Sequence, residues 1–264
     1  MSIGQSIFRA VLVLLVLFLF APIVVVVVAS FTASDFITFP PGAFSVRWYE
    51  KVLSEPEFIV PLGNSLTLAI AATALGGLLA LPAAVAIVRG RFPGRAAIET
   101  FLLSPLSLPT IILAVGLLFF SARIGLSESW VGLLAGHVVV TVPYILRSLV
   151  SVYARANREV EEAAAILGAP PLRVLWHVTL PMLRPGLIAG TIFAFLISFD
   201  EVAVALLMTN SDTTTLPVSI LSYLVYNYDP SIAAISAIQI GLVLAVLLVL
   251  ERLVGLKTVM FTAR

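Results

Sequence analysis

Two adjacent carboxylates, Asp200 and Glu201, stand in an otherwise apolar stretch, residues 187–208. An acid near the centre of a membrane helix costs about 2.5 to 3.5 kcal/mol on insertion scales, so such a group faces a cavity, a pathway or a partner. Its chemistry there is the binding of a cation. If the helix is entered near Leu187, Asp200 lies about 20 Å along it at 1.5 Å per residue, and neighbours on it point about 100° apart. One of the pair then faces a path while the other bonds to helix or subunit neighbours. The competing reading is that both serve packing at a subunit interface. Tyr144, Phe199, Tyr223, Tyr226 and Tyr228 add rings suited to cation-π contact with an amine, although aromatic residues also gather at membrane interfaces for their own reasons.

Several other chemistries are excluded. There is no cysteine, so no disulfide, iron-sulfur cluster or thiolate zinc site. The two lysines, Lys51 and Lys257, follow Glu50 and Leu256, so no Gly-Lys pair and no Walker A phosphate loop exist. His137 and His177 belong to no HExxH pattern, and no GxSxG elbow occurs. Each histidine reads as structural. The chain is not expected to be an enzyme or to hold a cofactor or metal. If it moves solute uphill, ion coupling or another subunit supplies the energy.

A second constellation lies in a loop. Residues 157–168 read as a short helix with its own start and stop: Asn157 is a suitable N-cap, Glu159, Glu161 and Glu162 load the N-terminal turns, and Gly168 closes the C-terminus. Val160, Ala163, Ala164 and Leu167 share one face at the i, i+3, i+4, i+7 spacing. Such a stripe has to pack on something. Pro170 and Pro171 break the chain before the next segment.

The elements that carry these sites need lipid as their solvent. Of 264 residues, 61% are hydrophobic and 11% charged, against about 25% charged in a soluble domain. Six apolar stretches occur, at about residues 7–31, 63–88, 98–121, 130–152, 187–208 and 231–250, each near the roughly 20 residues a spanning helix needs. The first is longer than the apolar part of a cleavable signal and is read as an anchor. With the N-terminus inside, twelve of the 15 Lys and Arg residues fall on the cytoplasmic side, Lys257 and Arg264 among them, and only Arg47, Lys51 and Arg123 outside. The positive-inside rule therefore places both termini in the cytoplasm. Pro82, Pro105, Pro109 and Pro143 sit in or beside spans, which fits either a pathway or ordinary kinked packing. A net charge of +1 implies no nucleic-acid partner.

Glu162-Ala163-Ala164, then Gly168, then Val178-Thr179-Leu180-Pro181 resembles the EAA motif of permease subunits of bacterial binding-protein-dependent ATP-binding cassette (ABC) importers, with Val178 where the motif carries Ile. Pro105 to Pro109, Ser198-Phe199-Asp200-Glu201, Thr214-Thr215-Leu216-Pro217 and Asp229-Pro230 resemble segments of the spermidine/putrescine branch. The resemblance covers the chain from the second span onward. It implies an all-α integral membrane fold of six transmembrane helices, the type I (MetI-like) importer transmembrane domain, in the bacterial inner membrane. Residues 1–62 would be an N-terminal helix with a periplasmic loop, and 63–264 the core, with the coupling loop at about 153–186.

The same resemblance implies two ABC ATPase subunits, a second permease chain, identical or paralogous, and a periplasmic solute-binding protein. Glu162, Ala163, Ala164 and Gly168 would couple to the ATPases. Arg155, Arg158 and Arg173 flank them and either meet acidic ATPase residues or only hold orientation. Asp200, Glu201, Phe199, Tyr144, Thr110 and Tyr223 would line the path of a small, cationic, polyamine-like solute. One departure stands at Thr110, where members of that branch often carry Glu, so other amines, amino acid derivatives and phosphonates stay open. A rival reading is an autonomous ion-coupled carrier using Asp200 or Glu201 as its ion site.

Overall fold

The computed structural model describes residues 3–254; Lys257 and Arg264 lie outside the described residues. The described chain is built of helices: α1 (Ile3–Ala29), α2 (Arg47–Ser54), α3 (Pro56–Arg89), α4 (Arg95–Leu103), α5 (Thr110–Arg123), α6 (Trp130–Arg155), α7 (Arg158–Ile166), α8 (Pro171–Val174), α9 (Leu180–Phe199), α10 (Ala203–Met208), α11 (Leu216–Tyr226) and α12 (Ser231–Val254). Five helical segments are long and apolar enough to cross a membrane, and a sixth span results if the bent pair α4 and α5 counts as one.

Three expected spans differ in detail. The stretch 98–121 is not one straight helix: α4 runs into a 3-10 turn at Ser104–Ser107 and α5 leaves it bent by 110°. The cause is local, because Pro105 and Pro109 donate no N–H and Leu108, preceding Pro109, is forced into an extended conformation. The second span begins at Pro56 rather than near residue 63. The fifth is helical from Leu180, is fed by a π-turn at Leu175–Thr179, and breaks after Phe199 before resuming as α10.

The chain packs as two units, each drawn from segments distant in sequence: Met1–Val60 with Ser219–Ala245, and Pro61–Val218 with Val246–Arg264. The first is thus discontinuous in sequence. Within it the apolar window of α1, mean hydropathy 3.5, has none of its residues buried, as befits a helix solvated by lipid. Helix α2 buries Trp48 and Val52, Phe58 packs its ring 5.0 Å from Tyr223, and the Ser219 hydroxyl donates to the Glu57 carbonyl at 3.1 Å.

In the second unit α3, α6 and α9 share a core containing Ala80, Ala84, Ile145, Leu149, Leu183 and Ala194. A second cluster joins α5, α6 and α10 through Ala114, Leu133, Val204 and Met208. Contact between α6 and α9 is close enough that a Cβ built on Gly190 would lie 2.8 Å from the Ile145 Cα. That contact is backbone, which cannot swing aside. Gly190→Val is therefore expected to destabilise the unit by about 1 to 3 kcal/mol, the usual cost of overpacking. A lowered melting temperature in detergent checks it, and an unchanged one would show that α6 and α9 can part without cost.

Candidate functional site

The acidic pair does not lie within a continuous helix, as its spacing from Leu187 implied. Asp200 is the C-cap residue of α9, with its N–H on the Leu196 carbonyl, and Glu201 opens the next turn. The Glu201 Oε1 accepts from the N–H groups of Ala203 at 2.9 Å and Val204 at 3.2 Å, so its carboxylate caps α10. Side-chain capping of this kind satisfies donors a helix start leaves open. Asp200 is exposed and Glu201 half-buried. One residue earlier, Phe199 is buried with its ring stacked on Phe195, centroids 5.8 Å apart. Its side chain is enclosed within this chain. Ser198 is pinned from α6: its Oγ lies 2.9 Å from the Nδ1 of His137, both residues buried. Of these four successive residues, Asp200 is the exposed one.

Of the other expected path residues, Thr110 is exposed at the start of α5, immediately after the bend, and Tyr144 is half-buried on α6. Tyr223 belongs to the first unit and is already engaged. Its hydroxyl donates to Asp229 at 2.8 Å and accepts from the Lys51 Nζ at 3.1 Å, while Lys51 also meets Asp229 at 2.7 Å. Burial pushes the Asp229 carboxyl up, but hydrogen bonds from Lys51, Ser231 and Tyr223 outweigh it and hold the group below its ordinary value. Tyr223 is thus part of an ion-pair network with Lys51 and Asp229. Thr214-Thr215-Leu216-Pro217 is likewise positional: the Thr214 carbonyl accepts from Asn64 and the Leu216 N–H donates to Ser65, both on α3.

The loop helix forms as its sequence dictates. The Asn157 side chain accepts from the Glu159 N–H at 2.9 Å. At the other end Gly168 has φ +84°, and the N–H groups of Gly168 and Ala169 return to the carbonyls of Ala165 and Ala164, a Schellman closure that only glycine adopts freely. No residue of α7 is buried. Ala163 is exposed and Ala164 half-buried, while Val160, Ile166 and Leu167 are 48%, 86% and 87% exposed. Among the described residues the apolar stripe is therefore left largely uncovered. Glu162 pairs with Arg158 at 2.8 Å within the helix, and Arg155 and Arg173 are exposed.

The carboxylate that attaches α7 to the membrane helices is Glu161. Its Oε2 accepts from the Arg89 Nε at 2.7 Å, and its Oε1 from the Tyr153 hydroxyl at 2.7 Å and the Thr179 hydroxyl at 2.5 Å. Arg89 also donates to the Ala156 carbonyl and lies 4.3 Å from the centre of the Tyr153 ring. Burial alone pushes the Glu161 carboxyl up, but these three donors and the guanidinium charge outweigh it and hold the group below its ordinary value. The EAA resemblance singles out Glu162, and nothing local in the sequence marks Glu161. Thr179, eighteen residues on, was the one available signal.

The described chain is thus a multispanning helical protein whose loop helix α7 carries its own caps and buries none of its residues. The chain belongs to the family described as binding-protein-dependent transport system inner membrane component, which it matches over residues 72–257. It is 33% identical over 251 residues to the putrescine transport system permease protein PotI of Escherichia coli (strain K12), covering 92% of this chain and 89% of that one. It is 31% identical over 243 residues to the spermidine/putrescine transport system permease protein PotC of Haemophilus influenzae (strain ATCC 51907 / DSM 11121 / KW20 / Rd), covering 91% and 93%. Among solved structures, a bacterial ABC transporter involved in the import of the acidic polysaccharide alginate superposes with a TM-score of 0.76 at 18% identity, over 96% of this chain and 98% of that one. The chain is thus an ABC importer permease subunit of type I fold in the inner membrane, not an enzyme, and the ion-coupled carrier reading falls away.

Proposed function

We propose that this permease forms, with a second permease chain, the path for a small cationic amine, and that Asp200 is the acid facing it. The observation that carries the reading is the position of Asp200, an acid exposed at the break that ends α9. An acid in that position attracts a cation. Two relatives are named for putrescine and spermidine, which are polycationic amines. Thr110 and Tyr144 belong to the same unit and complete the proposed lining.

In this reading α7 is the handle of the motor. Its exposed Val160, Ala163, Ile166 and Leu167 dock in a groove of an ABC ATPase, one ATPase for each permease chain, and Arg155, Arg158 and Arg173 meet acidic residues around it. ATP binding and hydrolysis then bias the states of the membrane part by binding them differently. A periplasmic protein delivers the solute, and both termini lie in the cytoplasm, as the charge bias of the loops supports. The companion chain is identical or paralogous.

The test is uptake by a reconstituted complex of the permease chains, ATPases and binding protein. ATP-dependent accumulation of labelled putrescine, inhibited by excess unlabelled spermidine and not by an anionic phosphonate, is the expected result. Uptake inhibited by the phosphonate alone would overturn the cationic solute.

A further inference from the structure

We propose that Glu161 is the positioning residue through which movement of α7 reaches the membrane helices. The inference rests on the coupling role given to α7 above. Helix α7 buries no residue. It leans over a cleft of about 850 Å³ whose wall includes Val85, Arg89, Tyr153, Leu172 and Thr179. Apolar packing therefore does not fasten it. Across the cleft one carboxylate collects donors from three places: Arg89 at the end of α3, Tyr153 near the end of α6, and Thr179 in the π-turn that feeds α9. The Arg89 contact to the Ala156 carbonyl adds a link to the chain just beyond α6.

The three helices gathered in this way are those that share the core around Ala84, Leu149 and Leu183. Charge-assisted hydrogen bonds have directional preferences that apolar contacts lack, so α7 cannot shift without either drawing the three ends with it or breaking the bonds. The Glu161 side chain is 13% exposed and that of Arg89 20%, so water competes poorly for either. Glu162, by contrast, is exposed and paired inside α7 with Arg158, and that pair ties α7 to nothing beyond itself. Single-turn π-segments are frequent at functional sites, and here one supplies the third donor.

The experiment uses the complete complex and a readout that needs no solute. Because the sequence has no cysteine, Phe193→Cys, at a position 59% exposed on α9, gives this chain one maleimide-reactive group, and its labelling rate with and without ATP, read on this chain after the subunits are separated, reports movement of the core. Association with the ATPases is measured by co-purification. With Glu161→Gln, association is expected to persist and the ATP-dependent difference in rate to fall below about one fifth, the low end of coupling between protein sites. Glu159→Gln, an exposed neighbour, is expected to keep it. Should Glu161→Gln fail to assemble, Tyr153→Phe and Thr179→Val, which each remove one donor, decide the matter by a partial loss of the difference with assembly intact. Persistence of the full difference in these variants, or loss of ATPase association in step with it, overturns the inference. If the wild-type chain neither binds the ATPases nor responds to ATP, the coupling reading itself fails, an outcome distinct from a responsive wild type with an indifferent Glu161 series.

Discussion

Asp200→Asn is expected to lower uptake of an amine at subsaturating concentration by about 10- to 150-fold while leaving the amount of assembled complex unchanged. The substitution removes a charge and keeps size and hydrogen-bonding capacity. Loss of one charge-assisted hydrogen bond is worth roughly 1.5 to 3 kcal/mol, and each 1.4 kcal/mol is about tenfold in affinity. Asp200 is exposed at the break between α9 and α10, so the change leaves the packed core intact. Glu201→Ala is expected to behave differently. Its Oε1 holds the first N–H groups of α10, and weakening a helix cap costs about 0.5 to 2 kcal/mol of stability, so complex yield falls and apparent affinity does not. Uptake over a range of putrescine concentrations, set against complex recovered from membranes, separates the two. Equal and unaltered uptake in both variants at normal yield would remove Asp200 from the path.

Leu167→Asp is expected to abolish ATPase association, with membrane insertion unchanged. Leu167 is 87% exposed and Ile166 86%, at the end of a helix that buries none of its own residues. Burying a leucine is worth about 1.5 to 3 kcal/mol, and an unpaired carboxylate in the same contact adds a desolvation penalty. The affinity for the ATPase therefore falls by more than about tenfold. Gly168→Val attacks the same contact by another route. With φ at +84° a β-branched side chain there costs roughly 1 to 2 kcal/mol, the Schellman closure opens, and Leu167 is presented at a different angle. Co-purification of the ATPases with each variant is the measurement. Retention of normal association by both would show that this face of α7 is not the contact.

Much of the loop was legible because it is local. The Asn157 cap, the Gly168 turn and the break at Pro170 and Pro171 each depend on neighbours within about one helical turn, and each stands in the structure. The bend at Pro105 to Pro109 was half legible. The prolines mark a break, since they lack an N–H and push the preceding residue into an extended form. Its angle of 110° was not, because the α5 side of it is set by packing of Leu113, Ala114 and Leu117 against α10 and α6.

What the sequence by itself determined is the solvent, the number of apolar stretches, the excluded chemistries and the start and stop of the loop helix. All of these follow from composition or from patterns contiguous along the chain. What only the tertiary structure decided is the choice between chemically equivalent neighbours. Glu161 rather than Glu162 meets Arg89, 72 residues earlier in the chain. Glu201 rather than Asp200 turns back to cap a helix, Phe199 is buried, and Tyr223 is held by a lysine 172 residues away. Adjacent side chains of one type have the same propensity and the same charge, so no local signal ranks them. Their roles are assigned by which way the backbone turns and by which distant donors the packing of α3, α6 and α9 brings within 3 Å.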